Sequence, residues 1–376
     1  MRIDSIVREP TQPSKIALVK NLSQNPEPVR RIVTLRELAK RAGVNPSTVS
    51  RVLNRDPNLR ISERSRKRIL DLAASMGYRP NRLARSLKLQ RTNVVGMLIP
   101  DITNPLFSAL FRAIDEVAYA TGYQVILCNT EDKATRLQQQ LEVLSEGHVD
   151  GIVVTTAHRN DPTIEMLRQR RVPYVLVSRR RDNNEDWWIV PDDEQGAWLA
   201  VKHLAELGHR RIAHIAGSTE VSRAADRLRG YKAAMESLGL ASLIWSVPFG
   251  GLDETAGETG LVQLLDYSSE QRPTAIFAAN DLAAAGVIAK ARQLGLQIPR
   301  DLSVIGCDDT PMSGYMAPKL TTIKYPFQDV ARFAIDNLVK LILGQVGDNE
   351  APVQLKLPVE LIIRESTMTP TLRANL

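Results

Sequence analysis

Apolar residues recur three and four apart from Thr34 onward: Leu35, Leu38 and Ala39, then Val49, Val52 and Leu53, then Ile69, Leu70, Ala73 and Met76. That is the period of a helix with one buried face, so three short helices sharing a small core are predicted. From Val94 the rhythm changes. Short runs rich in valine and isoleucine (VVGMLIP, QVILCN, GIVVTT, YVLVS, RIAHIAG, AIFAAN, LSVIG) alternate with stretches that read as helices at 106–120, 136–146, 163–170, 193–207, 225–238, 255–265 and 281–294, with a further strand near 243–247. Strands bracketed by crossover helices predict parallel, doubly wound sheets, and there are too many such units for one sheet, so two lobes are expected. In sheets of this kind ligands sit beyond the carboxyl ends of the strands. Those ends are where binding residues should be sought.

The first two helices carry their own boundary signals. Thr34-Leu35-Arg36-Glu37 is a capping box, in which hydroxyl and carboxylate satisfy backbone N–H groups reciprocally. Gly43 suits a left-handed helix end, and Asn45 followed by Pro46 suits an N-cap and first turn. The result is helix, short turn, helix. With Val44, Val49, Val52 and Leu53 facing inward, Ser47, Thr48, Ser50 and Arg51 are left outward, small polar residues and one arginine that fit a DNA major groove. An ordinary helical hairpin is the competing reading.

Charge strengthens the DNA reading. The first 92 of 376 residues hold 21 Lys+Arg against 7 Asp+Glu, whereas the rest hold 28 against 35. A basic end neutralises phosphates while an acidic body stays off the polyanion. No apolar run approaches the length of a membrane span. The apolar cluster at residues 16–19 is shorter than a signal peptide requires, so a cytoplasmic protein is expected. Residues 1–33 lack periodicity and read as a flexible arm. Cys128 and Cys307 read as small core residues. The five histidines show no zinc spacing, and neither a phosphate-binding GxxxxGK[ST] loop nor a GxSxG elbow occurs, so no metal, cofactor or enzymatic activity is expected.

The string TLRELAKRAGVNPSTVSRVLN from Thr34 resembles the start of the lactose-repressor (LacI/GalR) family, and the likeness continues through MGYRPNRLARSL, VVGMLIPDITNPLF, VDGIVV, ELGHRRIAHIAG, AANDLAAAG, VIGCDDT and LTTI in order. The resemblance implies a small all-α helix-turn-helix domain at 34–80, a hinge helix and linker at 81–92, and, at 93–376, an α/β effector-binding and dimerisation domain of the two-lobed periplasmic-binding-protein type I kind. It implies DNA contacts at Thr34, Asn45, Pro46, Ser47, Thr48, Ser50, Arg51, Asn54 and Tyr78, with Thr48 on a phosphate. Pro46 cannot make the long-chain base contact common in relatives, which shifts reading toward Ser47 and Arg51. The loop from Asn54 to Ser62 looks longer than the usual family form. In the hinge, Asn81, Arg82 and Arg85 would meet the duplex while Leu87 wedges between base pairs from the minor groove.

For the effector domain the resemblance places residues 94–190 and 319–342 in the first lobe and the remainder in the second. It puts Asp101, Phe107, Arg179, Arg227, Asn280 and Asp308 in the cleft, each after a predicted strand. Asp281 reads as an N-cap and Asp309 as structural. Leu252 replaces an aromatic platform and Ser178 an acidic residue found in sugar-binding relatives. The Arg179–Arg181 run raises the alternative of an anionic sugar derivative. The family reading implies a homodimer or tetramer on a near-palindromic double-stranded operator, repressing carbohydrate-related genes under control of a small-molecule effector. A global regulator or activator of the same family, or a sugar-binding protein without DNA function, are the alternatives. Effector identity, and whether it induces or co-represses, stay open.

Overall fold

The computed structural model describes residues 33–54, 56–78, 91–183, 185–248, 251–347 and 350–370. They fall into two compact units that divide at Arg85 and Ser86. In the first unit, α1 (Leu35–Ala42), α2 (Pro46–Leu53) and α3 (Glu63–Ser75) pack around Leu38, Ala39, Ala42, Val49, Val52, Ile69 and Ala73. The turn between α1 and α2 is short because both ends are capped within it. Gly43 adopts φ 67°, the left-handed region where a side chain would be strained, and the Asn45 carboxamide oxygen accepts from the Ser47 N–H at 2.9 Å. Only the i, i+3 apolar positions of α2 are buried, so its opposite face is free of the core.

The second unit is a pair of α/β lobes. The first lobe's sheet runs β11-β5-β4-β3-β1-β2, from strands β1 (Val94–Ile99), β2 (Gln124–Asn129), β3 (Gly151–Val154), β4 (Tyr174–Val177), β5 (Trp188–Pro191) and β11 (Gln354–Leu357), all parallel. Alternation along β1 sends Val95, Met97 and Ile99 to the face covered by α4 (Pro105–Ala120) and α11 (Phe327–Ile342), and Leu98 to the face covered by α5 (Ala134–Ser145) and α6 (Glu165–Gln169). Burial on both faces explains why these strands read as continuous apolar runs.

The second lobe repeats the plan with order β12-β10-β9-β8-β6-β7: β6 (Ile212–Ala216), β7 (Trp245–Pro248), β8 (Ala275–Ala278), β9 (Ser303–Asp308), β10 (Thr321–Lys324) and β12 (Glu360–Ile362). Helices α7 (Asp193–Glu206) and α8 (Ser222–Ser237) cover one face, α9 (Glu254–Leu265) and α10 (Asp281–Gln293) the other. None of the described helices is long and apolar enough to cross a membrane.

Two expectations need correction. Residues 319–342 do not belong to one lobe: β10 pairs with β9 in the second sheet, and only α11 returns to the first, while β11 joins the first sheet from the segment assigned to the second lobe. Lobe membership follows strand pairing, and the chain crosses between lobes after β5, after β10 and between β11 and β12. The second sheet is also not wholly parallel, because β12 runs antiparallel to β10 at its edge.

His214, in the middle of β6, is fully buried, with its ring stacked 4.8 Å from that of Phe277 and its Nδ1 donating to the Phe277 carbonyl at 2.8 Å. Burial pushes its pKa down to about 4, against the pull of that carbonyl. The unfolded value is near 6.5, so the neutral ring stabilises the fold fully above that pH, and the contribution is lost as pH falls from 6.5 toward 4. A loss of up to about 3 kcal/mol in urea-unfolding free energy between about pH 7 and pH 4 is expected, with His214→Phe showing a flatter profile. An unchanged pH profile in that variant would rule His214 out as the source.

Candidate nucleic-acid interface and ligand cleft

In the helix-turn-helix unit, the Thr34 hydroxyl accepts from Glu37 N–H at 3.2 Å while Thr34 N–H donates to the Glu37 carboxylate at 2.9 Å. Pro46 opens α2, and the Ser47 hydroxyl donates to Asn45 at 2.8 Å. Val49 and Val52 face the core; Ser47 and Arg51 are exposed, and Thr48 and Ser50 half-buried. Asn54 closes the helix, its amide donating to the Ser50 carbonyl at 2.8 Å. Tyr78 packs half-buried against the domain core, so much of its ring is structural. The exposed face of α2 therefore carries the Ser47 hydroxyl and the Arg51 guanidinium. Arg51 is not free, however: its Nε lies 2.7 Å from Asp56 Oδ2 in the following loop. Asn81, Arg82, Arg85 and Leu87 lie outside the described residues.

In the second unit a narrow, nearly closed cleft with about 10 Å³ of free space lies between the lobes, lined by Asn104, Leu106 and Phe107 from the start of α4, Ser178 and Arg179 beyond β4, Val221, Arg223 and Arg227 from the start of α8, Leu252 before α9, Asn280 beyond β8, and Asp308 at the end of β9. Five of the six cleft residues expected from sequence are thus brought together. Asp101 is the exception: it is exposed, and its carboxylate caps its own loop through the Thr103 N–H at 2.9 Å and the Thr103 hydroxyl at 2.8 Å.

The charged and amide groups in the cleft are held by neighbours, whereas the buried Ser178 hydroxyl has no hydrogen-bond partner among the described residues. Arg223 bonds Asp193 at 2.9 and 3.1 Å and Asp308 at 3.0 Å. Burial opposes its charge, but the two carboxylates outweigh burial and hold the guanidinium well above its ordinary pKa. Burial in turn pushes the Asp308 carboxyl up, against the pull of Arg223 and Arg227. Arg227 donates to the Ala279 carbonyl and, at 3.2 Å, to the Arg223 carbonyl. Asn280, not Asp281, is the N-cap of α10: its oxygen accepts from Ala283 N–H at 2.8 Å and its amide donates to the Leu252 carbonyl at 2.8 Å. Asp281 is instead buried behind the cleft, accepting from Thr310 and Thr322, with burial and the nearby Asp308 charge raising it to about 7. Asp309 ties Arg364 to the second lobe at 2.6 Å.

Backbone strain is stored at the same place. Ser178, just after β4, adopts φ 67°, and Asp308, the last residue of β9, adopts φ 127°. Non-glycine residues in this region cost on the order of 1–3 kcal/mol each and persist where surrounding structure dictates them, commonly at binding sites.

The Arg179–Arg181 run is divided rather than pooled. Arg179 pairs with Asp132 at 2.8 Å, Arg180 with Asp226 at 2.9 Å, and Arg181 with Asp186 at 2.7 Å. Burial works against the Asp132 carboxylate, yet His158 and Arg179 hold it down at about 2. Arg180 also joins the lobes, since its N–H donates to the Ser222 hydroxyl at 2.9 Å, and Arg159 bonds the Thr219 and Glu220 carbonyls across the same gap at 3.2 and 2.9 Å.

Sequence reasoning missed Arg223. It expected α8 to begin at Ala225, which left Arg223 in a loop; the helix begins at Ser222, so Arg223 and Arg227 stand one turn apart on one face.

Comparison with known proteins agrees with both halves of this description. Residues 34–81 match the lacI family of bacterial regulatory proteins, and residues 201–367 match the periplasmic binding protein-like domain. The chain is 34% identical over 338 residues to the ribose operon repressor of Halalkalibacterium halodurans, covering 89% of this chain and 97% of that protein. It superposes on a lac repressor dimer bound to operator and the anti-inducer ONPF with a TM-score of 0.78 at 27% identity, covering 90% and 100% of the two chains. A LacI-family regulator from Enterococcus faecium with bound ribose matches at TM-score 0.65 and 30% identity, over 74% of this chain and all of that one. With its helix-turn-helix, its two-lobed cleft and these similarities over nine-tenths of its length, the chain belongs to the LacI family of bacterial regulatory proteins.

Proposed function

We propose that this protein is a cytoplasmic transcriptional repressor that acts by binding rather than catalysis, two copies placing their α2 helices in successive major grooves of a near-palindromic operator while a neutral sugar in the inter-lobe cleft sets operator affinity. Dimer symmetry mirrored in the operator follows from reading one half-site per copy. The observation that carries the effector part is charge balance. Arg179, Arg223 and Arg227 in the cleft are answered by Asp132, Asp193 and Asp308, each within 3.4 Å of a guanidinium. A site already neutral gains little from an anion, whereas its fixed donors and acceptors suit hydroxyls, with Phe107 offering an apolar face. The ribose operon repressor among its relatives, and the ribose held by the Enterococcus regulator, favour a sugar of that size. Control would run through the inter-lobe contacts of Arg159 and Arg180, which a ligand that draws the lobes together keeps closed.

A thermal-shift comparison of ribose, ribonate and ribose 5-phosphate on the full chain tests this, because a ligand bound only by the native state adds about 2.7 kcal/mol of stability at a hundredfold excess over Kd. Stabilisation by the neutral sugar, and a change in binding to duplex selected from random sequence, are the expected outcomes. Stabilisation by the acids alone would reject a neutral effector, and failure to enrich any duplex would favour a sugar-binding protein without DNA function.

A further inference from the structure

We propose that Asp56 is a positioning residue for DNA recognition: it fixes the Arg51 guanidinium so that its two terminal nitrogens address a guanine end-on. The proposal rests on the reading of α2 as the recognition helix and asks how Arg51 discriminates bases. A guanidinium presents five N–H groups in a rigid fork. Here the Nε–H is directed at Asp56 Oδ2, 2.7 Å away, while the Arg51 side chain as a whole is 47% exposed. That leaves the two Nη groups, the pair that matches the O6 and N7 acceptors of guanine, without a hydrogen-bond partner among the described residues.

The carboxylate can hold that direction because the loop holds the carboxylate. Asp56 N–H donates to the Arg51 carbonyl at 3.0 Å, Leu59 N–H donates to the Asp56 carbonyl at 3.3 Å, and Asp56 Oδ1 accepts from Asn58 N–H at 2.9 Å. One oxygen thus anchors the turn while the other faces the arginine. Stability does not account for the pair, since ion pairs this exposed contribute little to folding. Electrostatics argues the same way: Asp56 is one of 7 acidic residues among 21 basic ones in the first 92, and it stands at the end of the very helix proposed to approach phosphates. A carboxylate there weakens attraction to any duplex, so what it contributes is orientation. An unheld arginine would sample many rotamers and meet phosphates as readily as bases; a held one arrives with its geometry settled.

The test uses the full chain and duplexes selected from a randomised pool by the wild type. Those duplexes are expected to carry one guanine per half-site whose replacement weakens binding about tenfold, a preference that Arg51→Ala abolishes. Asp56→Asn retains the oxygen needed by Asn58 N–H but offers the arginine no carboxylate. It should melt like the wild type, lose most of the preference at that one position, keep its preferences elsewhere, and bind random duplex as well as before or better. In an Arg51→Lys background, which lacks the fork, Asp56→Asn should have no further effect on preference. If Asp56→Asn instead binds the selected duplex more tightly with preference intact, Asp56 masks the arginine and the positioning role is overturned. Full preference surviving in Arg51→Ala would overturn the assignment of Arg51 itself, an outcome separable from the failure of Asp56 alone.

Discussion

Replacing Arg223 by methionine is expected to lower the stability of the two-lobed domain by about 3–5 kcal/mol, the usual cost of leaving a buried charge without its partner. Methionine replaces the volume and the apolar stem but not the three hydrogen bonds to Asp193 and Asp308. Asp193 keeps Arg227 at 3.4 Å, so the loss falls chiefly on Asp308, whose only ion pair among the described residues is with Arg223. The guanidinium also stands 5.1 Å over the Tyr325 ring, a contact methionine meets only by packing. The pH dependence identifies the cause. Burial already raises the Asp308 pKa in the fold, and removing Arg223 raises it further, so the penalty grows as pH rises from the unfolded carboxylate value toward the folded one. The variant should be closest to the wild type in mild acid and furthest from it near neutrality. Urea unfolding across pH measures this, and adding Asp308→Asn should restore part of the loss. A deficit below about 1 kcal/mol at neutral pH would mean that the two carboxylates are solvated well enough without the arginine.

Arg223 also illustrates what could be seen in the sequence and what could not. Features written in neighbouring residues were legible: the Thr34 and Glu37 capping box, the Gly43 turn and the Asn45-Pro46 start define the helix-turn-helix, and all three are built as expected. Strand ends were legible too, because runs buried on both faces are apolar throughout, whereas Phe107, Arg179, Arg227, Asn280 and Asp308, which line the cleft, were expected there from the family resemblance. What depended on distant partners was not legible. The lobe to which β10 and β11 belong is set by pairing with β9 and β5, which no local pattern encodes. Asp281 looked like an N-cap because it begins α10, but the cap is made by the preceding Asn280. The arginine run beyond β4 looked like an anion site because the carboxylates that neutralise it come from residues 132, 186 and 226. The role of Asp56 rests on where the Arg51 side chain turns, which its place in the loop does not reveal.

The cleft also depends on a residue with no side chain. Gly230 lies on α8 where that helix crosses α7, and a Cβ there would stand 2.1 Å from the Glu194 carbonyl oxygen and 2.9 Å from its Cα. These are backbone atoms of the first turn of α7, so no rotamer change relieves the clash; the helices must separate. Gly230→Ala therefore acts against the small helix-propensity gain of alanine, about 1 kcal/mol, and the overpacking cost, about 1–3 kcal/mol or more, is expected to prevail. Its effect should reach the ligand site directly. Asp193 is the residue beside Glu194, and it carries the bonds to Arg223 and Arg227 on the facing helix, less than two turns from Gly230. Moving α7 outward by the distance a methyl group needs would lengthen hydrogen bonds now at 2.9 and 3.1 Å beyond their useful range. The variant should thus lose several kcal/mol of stability and, even well below its melting temperature, bind its effector at least tenfold more weakly, while the helix-turn-helix unit keeps its own core of Leu38, Val49 and Ile69. Unfolding curves and effector titration on the same preparation separate the two effects. Weakened stability with effector affinity intact would show that α7 yields elsewhere along its length and that Asp193 is held in register by its arginines rather than by the helix crossing.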